Sequence, residues 1–197
     1  MPVSKTSIIN KALTFVGAAP VVSIDEDSNN ARILSRVYEI ALRSILSECK
    51  WNFATKRALL SVSADTLPWY DTGEGVVYAR PADIIRIYGT TSSKAIWREE
   101  GDYIISDSAD LGLRYVQYLD DPTKYPGYFV DAFVDKLASD IAYMVVNSAS
   151  LGEAFFKKYE SVSLPKATAA NSQTGVQQFL MDDAWEQAKY QNGQPEA

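Results

Sequence analysis

Near the start of the chain, Ile8, Ile9, Ala12, Leu13 and Val16 recur at three- and four-residue spacing between Ser4 and the pair Gly17 and Pro20. That pattern predicts a short amphipathic helix, capped by the Ser4 hydroxyl and stopped by glycine and proline. The stretch VVSIDEDSNNA joins turn formers to acids, and Ser28 or a neighbouring Asp or Asn can cap a second helix. From Ala31, the positions Leu34, Tyr38, Ala41, Leu42, Ile45, Leu46 and Cys49 share one helical face, leaving Arg32, Arg36, Glu39, Arg43 and Glu48 to water. Between Thr55 and Leu119 the period changes. The runs RALLSV, VVYA, IIRIYG, KAIW, YIIS and LRYVQYL, broken by Gly, Pro, Asp and Ser, predict a small antiparallel sheet. IWREEGDYIISD reads as a hairpin turning at Gly-Asp. In LRYVQYL a period of two sets Arg114, Val116 and Tyr118 against Leu113, Tyr115 and Gln117.

After DDPTKYPG the helical period returns, with Phe129, Phe133, Leu137, Ile141, Met144 and Val145 as a stripe and Pro126 suited to a first turn. Ser150 to Glu153 has capping-box spacing, and Leu151, Phe155, Tyr159 and Val162 extend an apolar face towards Pro165, which is expected to kink or restart the helix. A late cluster, Val176, Phe179, Leu180, Met181 and Trp185, stands in small, polar sequence and reads as a docking arm. Elements in this order predict an α+β fold, mainly α. Segments 1–54 and 122–170 form a helical bundle, 55–121 a small antiparallel β insertion, and 171–197 an extended C-terminal arm.

The length of 197 residues suits one domain or a domain with a subdomain, and 47% hydrophobic with 22% charged residues is ordinary globular composition. A net charge of −6 and a pI near 4.7 argue against a general nucleic-acid binder. The single cysteine, Cys49, allows no intrachain disulfide and no thiolate zinc cluster, and reads as a core thiol. Histidine is absent, which removes the common general base, the Ser-His-Asp triad and most transition-metal sites. No catalytic, cofactor or metal residue is therefore assigned. No apolar run reaches the roughly 18 residues that span a bilayer, so no membrane contact is expected, and the chain is expected to be made in the cytoplasm.

Three rival chemistries rest on particular residues. The pairs Asp25 and Asp27, Glu99 and Glu100, Asp120 and Asp121, and Asp182 and Asp183 could serve a carbohydrate-degrading hydrolase, but neighbours in sequence do not face each other across a sugar. Asp25, Asp27 and Asn29 begin like a calcium loop, which then fails at Asn30 and Arg36. At the junction WNFATKR, Lys50, Lys56 and Arg57 beside Trp51 and Phe53 could serve a DNA-binding module. The alternative favoured on general grounds is architectural: Trp51 and Phe53 close the helices while Lys56 and Arg57 snorkel or pair with acids.

The fragments INKALTFVGAAPVVSIDEDSNNA, YEIALRSILSECKWNFATKRALLS, YARPADIIRIYG, WREEGDYIISD and LRYVQYLDDPTKYPGYFVDAFVDKLASDIAYMV occur in an order that resembles the tail tubular protein A family, the head-to-tail adaptors of short-tailed bacteriophages. The features carrying the resemblance are the Gly-X-X-Pro turn, the Trp-Asn-Phe-Ala junction with its following Arg, and the Pro-X-Asp before a strand. It extends to about Ala170. Pro165 and the tail after Asn171 depart from the family pattern.

The resemblance implies a bundle with a β insertion and a non-enzymatic virion protein assembled in the host cytoplasm. It also implies a ring of roughly twelve-fold symmetry between the portal protein and a tail nozzle like tail tubular protein B. DNA would pass through without specific binding. On this reading Trp51, Phe53 and Arg57 form a structural junction, and Phe179, Leu180, Met181 and Trp185 dock the arm on the portal.

Overall fold

The structure, a computed structural model, describes residues 3–64, 75–91 and 95–174. Helix α1, Lys5–Val16, starts where the Ser4 hydroxyl accepts the Ser7 N–H and ends at Gly17, whose φ of 77° is left-handed and favours glycine. Helix α2, Asn29–Glu48, is capped by Ser28 and buries the stripe Ala31, Leu34, Tyr38, Ala41, Leu42, Ile45 and Leu46. Helix α3, Gly127–Val146, is central: it packs against α1, α2, α4 (Ala149–Lys158) and α5 (Leu164–Gln173). Surrounded in this way, it buries Val130, Val134 and Ala142 besides Phe129, Phe133, Leu137 and Ile141.

The structure departs from the sequence expectation at four places. Met144 is 46% exposed, because Val145, four residues after Ile141, continues the packed face and Met144 lies roughly 100° off it. The cap of α4 is Ser148, not Ser150: Asn147 closes α3 at a φ of 52°, which makes Ser148 the first extended residue, and its hydroxyl accepts the Leu151 N–H. Val162 is 54% exposed because a π turn, Tyr159–Ser163, links α4 to α5. The wider turn advances the inward face by one residue, so Tyr159 is followed inside by Ser163. The same turn accommodates Pro165, which has no N–H to give, and the helical path continues to Gln173. Residues 171–173, assigned from sequence to the arm, are the last turn of α5.

The strands form two sheets rather than the single one expected. One has the order β1-β6-β3, from β1 (Thr55–Leu59), β6 (Gly112–Gln117) and β3 (Ile84–Thr90). The other has the order β2-β5-β4, from β2 (Val76–Ala79), β5 (Tyr103–Ser106) and β4 (Trp97–Glu100). All pairings are antiparallel, and β4 and β5 turn at Gly101 and Asp102 as expected. The division follows from β6, which sends apolar side chains to both faces. Val116 joins the helical core, whereas Leu113 and Tyr115 join a second core with Leu60, Tyr78, Ile84, Ile104 and Leu111. The first sheet is thus a middle layer, with helices on one side and the second sheet on the other. Two bulges in β3, at Ile85 and Tyr88, turn both side chains towards the helical core.

Candidate functional site

The α2-to-β1 junction is built on the carbonyls at the end of α2, which have no partner in the helix itself. The fully buried Trp51 donates its indole N–H to the Ile45 carbonyl at 2.8 Å. Arg86 of β3 reaches the carbonyls of Ser47 and Glu48 at 3.2 and 3.3 Å, placing a cation at the negative end of the helix. The middle sheet is thereby bonded to the helix end. Trp51 stands edge-on to Phe129 at 5.0 Å between ring centroids, and Phe53 meets Phe129 at 4.7 Å and Tyr125 at 5.8 Å. This contiguous aromatic cluster continues through Phe133 to Tyr38.

A polar clamp closes the other side. Asn171, 4% exposed, accepts the Asn52 N–H on its Oδ1 at 2.9 Å and donates through Nδ2 to the Lys50 carbonyl at 2.7 Å. Asn52 donates in return to the Asn171 carbonyl and to Thr174 Oγ1. The end of α5 therefore holds residues 50–52 through a side chain that imitates a peptide pair. Sequence reasoning missed both Arg86 and Asn171. The visible signals were a lone cation inside IIRIYG and an asparagine in an otherwise small-residue segment.

The junction residues separate by role. Trp51 and Phe53 lie together in the aromatic cluster, while Arg57 is exposed on β1, directly opposite Arg114 on β6. Lys56 points to the other face, where its ammonium meets Asp83 at 2.6 Å and the Tyr115 hydroxyl donates to the same carboxylate at 3.0 Å. Lys50 and Arg114 lie over the ring of Tyr88, at 4.7 and 5.4 Å. The cations named for nucleic-acid contact are therefore not one group: Lys56 is paired, and Arg114 takes its place beside Lys50 and Arg57. Phe179, Leu180, Met181 and Trp185 lie outside the described residues.

Burial of Asp83 works against its charge, but hydrogen bonds from Lys56 and Tyr115 outweigh it and hold the carboxyl below its ordinary value. A depressed folded-state pKa stabilises the fold above the unfolded value, about 3.9 for aspartate, and that contribution is lost as the pH falls through the folded value. Asp83→Asn is therefore expected to lower the urea midpoint at neutral pH and to flatten its decline below about pH 4. Parallel acid profiles for the two proteins would mean that Asp83 contributes nothing to the acid dependence of stability. Cys49, half-buried beside the junction, has its thiol pushed up to about 11 by burial, against a smaller opposing effect of Arg86. It is a neutral packing group at physiological pH.

The described acidic pairs, Asp25 apart, are held in separate surface contacts. Asp27 pairs with Arg32, Glu99 with Arg80, Glu100 with Arg98, Asp120 with Lys5, and Asp121 with Lys124. Glu99 and Glu100, neighbours on β4, project to opposite faces. Asp182 and Asp183 lie outside the described residues. Among the described residues, no three His, Cys, Asp or Glu side chains are grouped to hold a metal ion, and no helix is long and apolar enough to cross a membrane. The chain matches no protein-family model, and no curated protein is detectably similar to it in sequence.

Proposed function

We propose that this chain is a structural adaptor of a short-tailed bacteriophage, without enzymatic activity, that forms a ring of its own copies between the portal and the tail nozzle. In that role it closes the packaged head and conducts DNA at ejection. It is assembled in the host cytoplasm and retained in the virion. Its helices act as one bundle carrying the β insertion, and the arm with Phe179, Leu180, Met181 and Trp185 extends from the bundle to the portal. The order of sequence features that resembles the tail tubular protein A family supports this reading.

The observation that carries it is the junction. An adaptor must hold two binding surfaces at a fixed angle, and here Trp51, Arg86 and Asn171 bond the middle sheet, the end of α2 and the end of α5 to one another. The group is made of packing and hydrogen bonds that are already satisfied, which suits a brace. An acidic chain also lets DNA slide, because phosphates are not gripped. Electron microscopy of portal rings mixed with this protein should reveal a collar on one end of each ring. Bare portals at saturating protein would refute the proposal.

A further inference from the structure

Two exposed features of opposite character lie at the two ends of α2. Before its first turn, the loop from Val21 to Ser28 is fixed rather than loose. Asn10 clamps buried Val21 through both its amide N–H and its carbonyl, each at 2.8 Å, and the Glu26 carboxylate accepts the Val22 N–H at 2.7 Å. The clamp leaves Val22 90% exposed, with the exposed carboxylates of Asp25 and Asp27 nearby in the loop. Among the described residues Asp25 has no ion-pair partner, while Asp27 pairs with Arg32. A rigid apolar knob flanked by acids is an unusual structure to hold out to water. Its order means that little conformational entropy is lost on binding.

Beyond the last turn of α2, the middle sheet carries the complement. Arg57 and Arg114 face each other across β1 and β6, a like-charge pair that is unfavourable when isolated. Both are exposed, and among the described residues neither is paired with a carboxylate, whereas ten other cations are. They flank a pocket of about 320 Å³ whose exposed apolar wall is Leu59, 72% exposed, while Ala58 and Leu113, also along its lining, turn their side chains to the second core. The pocket draws on all three strands of its sheet, of which β1 is an edge. The 20 residues of α2 separate knob and pocket by roughly 30 Å, so the two do not meet within one chain.

We infer that Val22 of one copy seats in the pocket beside Leu59 of the next, with Asp25 and Asp27 against Arg57 and Arg114, in a head-to-tail contact between copies of this chain. Charge complementarity selects this occupant: the pocket is basic in a chain of net charge −6, and the knob supplies carboxylates and an apolar tip together. A contact between two different patches of the same chain is heterologous, and it closes into a ring when the rotation allows. The inference rests on the ring reading above and gives it an interface.

The test is sedimentation velocity of the full chain over a concentration series reaching roughly 0.1 mM and above, at low and high salt. Three proteins are compared: the wild type, the variant with Asp25→Lys and Asp27→Lys, and the variant with Arg57→Glu and Arg114→Glu. The wild type should associate, less so in high salt. Each variant alone should remain monomeric while retaining a wild-type circular dichroism spectrum, and an equal mixture of the two variants should associate again, since each then meets the opposite charge. A wild type that stays monomeric throughout, or variants that associate as it does, would overturn the contact. So would loss in the arginine variant of binding to a labelled oligonucleotide with self-association unchanged, which would assign the pocket to phosphate. Portal rings added to each sample keep the two readings apart. Collars formed equally by both variants would remove this interface and leave the adaptor standing; self-association as described without collars would do the reverse.

Discussion

Trp51→Ala should cost about 3–5 kcal/mol and lower the melting temperature by on the order of 10 °C, the largest loss expected from any single truncation at the junction. The indole is fully buried, stands edge-on to Phe129 and near Phe53, and caps the Ile45 carbonyl. Its removal opens a cavity at the meeting point of α2, α3 and the middle sheet and also leaves a helix-end carbonyl without a donor. Trp51→Phe separates these effects: most of the ring packing stays, the hydrogen bond is lost, and the expected cost falls to about 1–3 kcal/mol. Urea titrations of the three proteins decide the matter. An alanine variant within about 1 kcal/mol of wild type would mean that the junction is not what holds the layers together.

Lys158→Met should cost about 3 kcal/mol, although the lysine head is half in water. Its partner is the reason. Asp135 lies inside α3 with its side chain 4% exposed, held by the Lys158 ammonium at 2.8 Å and by the Ser163 hydroxyl at 2.5 Å. Removing the cation strands a buried carboxylate and also takes the ammonium from beside the rings of Phe15 and Phe155, while methionine keeps an unbranched apolar side chain in its place. The double variant with Asp135→Asn and Lys158→Met should therefore be more stable than Lys158→Met alone, a coupling that a double-mutant cycle reads directly. If the two substitutions simply add, the ion pair contributes nothing to the packing of the π turn against α3.

The fold was largely legible in the sequence wherever one period ran through a whole element. The α2 stripe, the Ser4 and Ser28 caps, the Gly17 stop, the Gly101 turn and the two faces of β6 follow from spacing and local chemistry alone. What spacing could not reveal depended on tertiary partners. One sheet and two sheets have the same strand pattern, and only the doubly apolar β6 hinted at a layer between two cores. The π turn left no periodic signature before Pro165, so the exposure of Val162 and the inward turn of Ser163 were invisible.

The candidate site was legible in part for the same reason. Trp51 and Phe53 announced a packed junction through their size, whereas Arg57 was grouped with them by adjacency although a strand sends it elsewhere. Arg86 and Asn171 act across 38 to 39 and 119 to 121 residues of sequence, distances over which no single-sequence pattern reports a hydrogen bond.

The proposed ring between portal and tail nozzle is open to a direct test, sedimentation velocity of the protein mixed with portal rings of a short-tailed phage. A new, faster boundary should appear and saturate at one chain per portal subunit, roughly twelve per ring. Two boundaries that sediment unchanged, at low and at high salt and with the protein in excess, would contradict it.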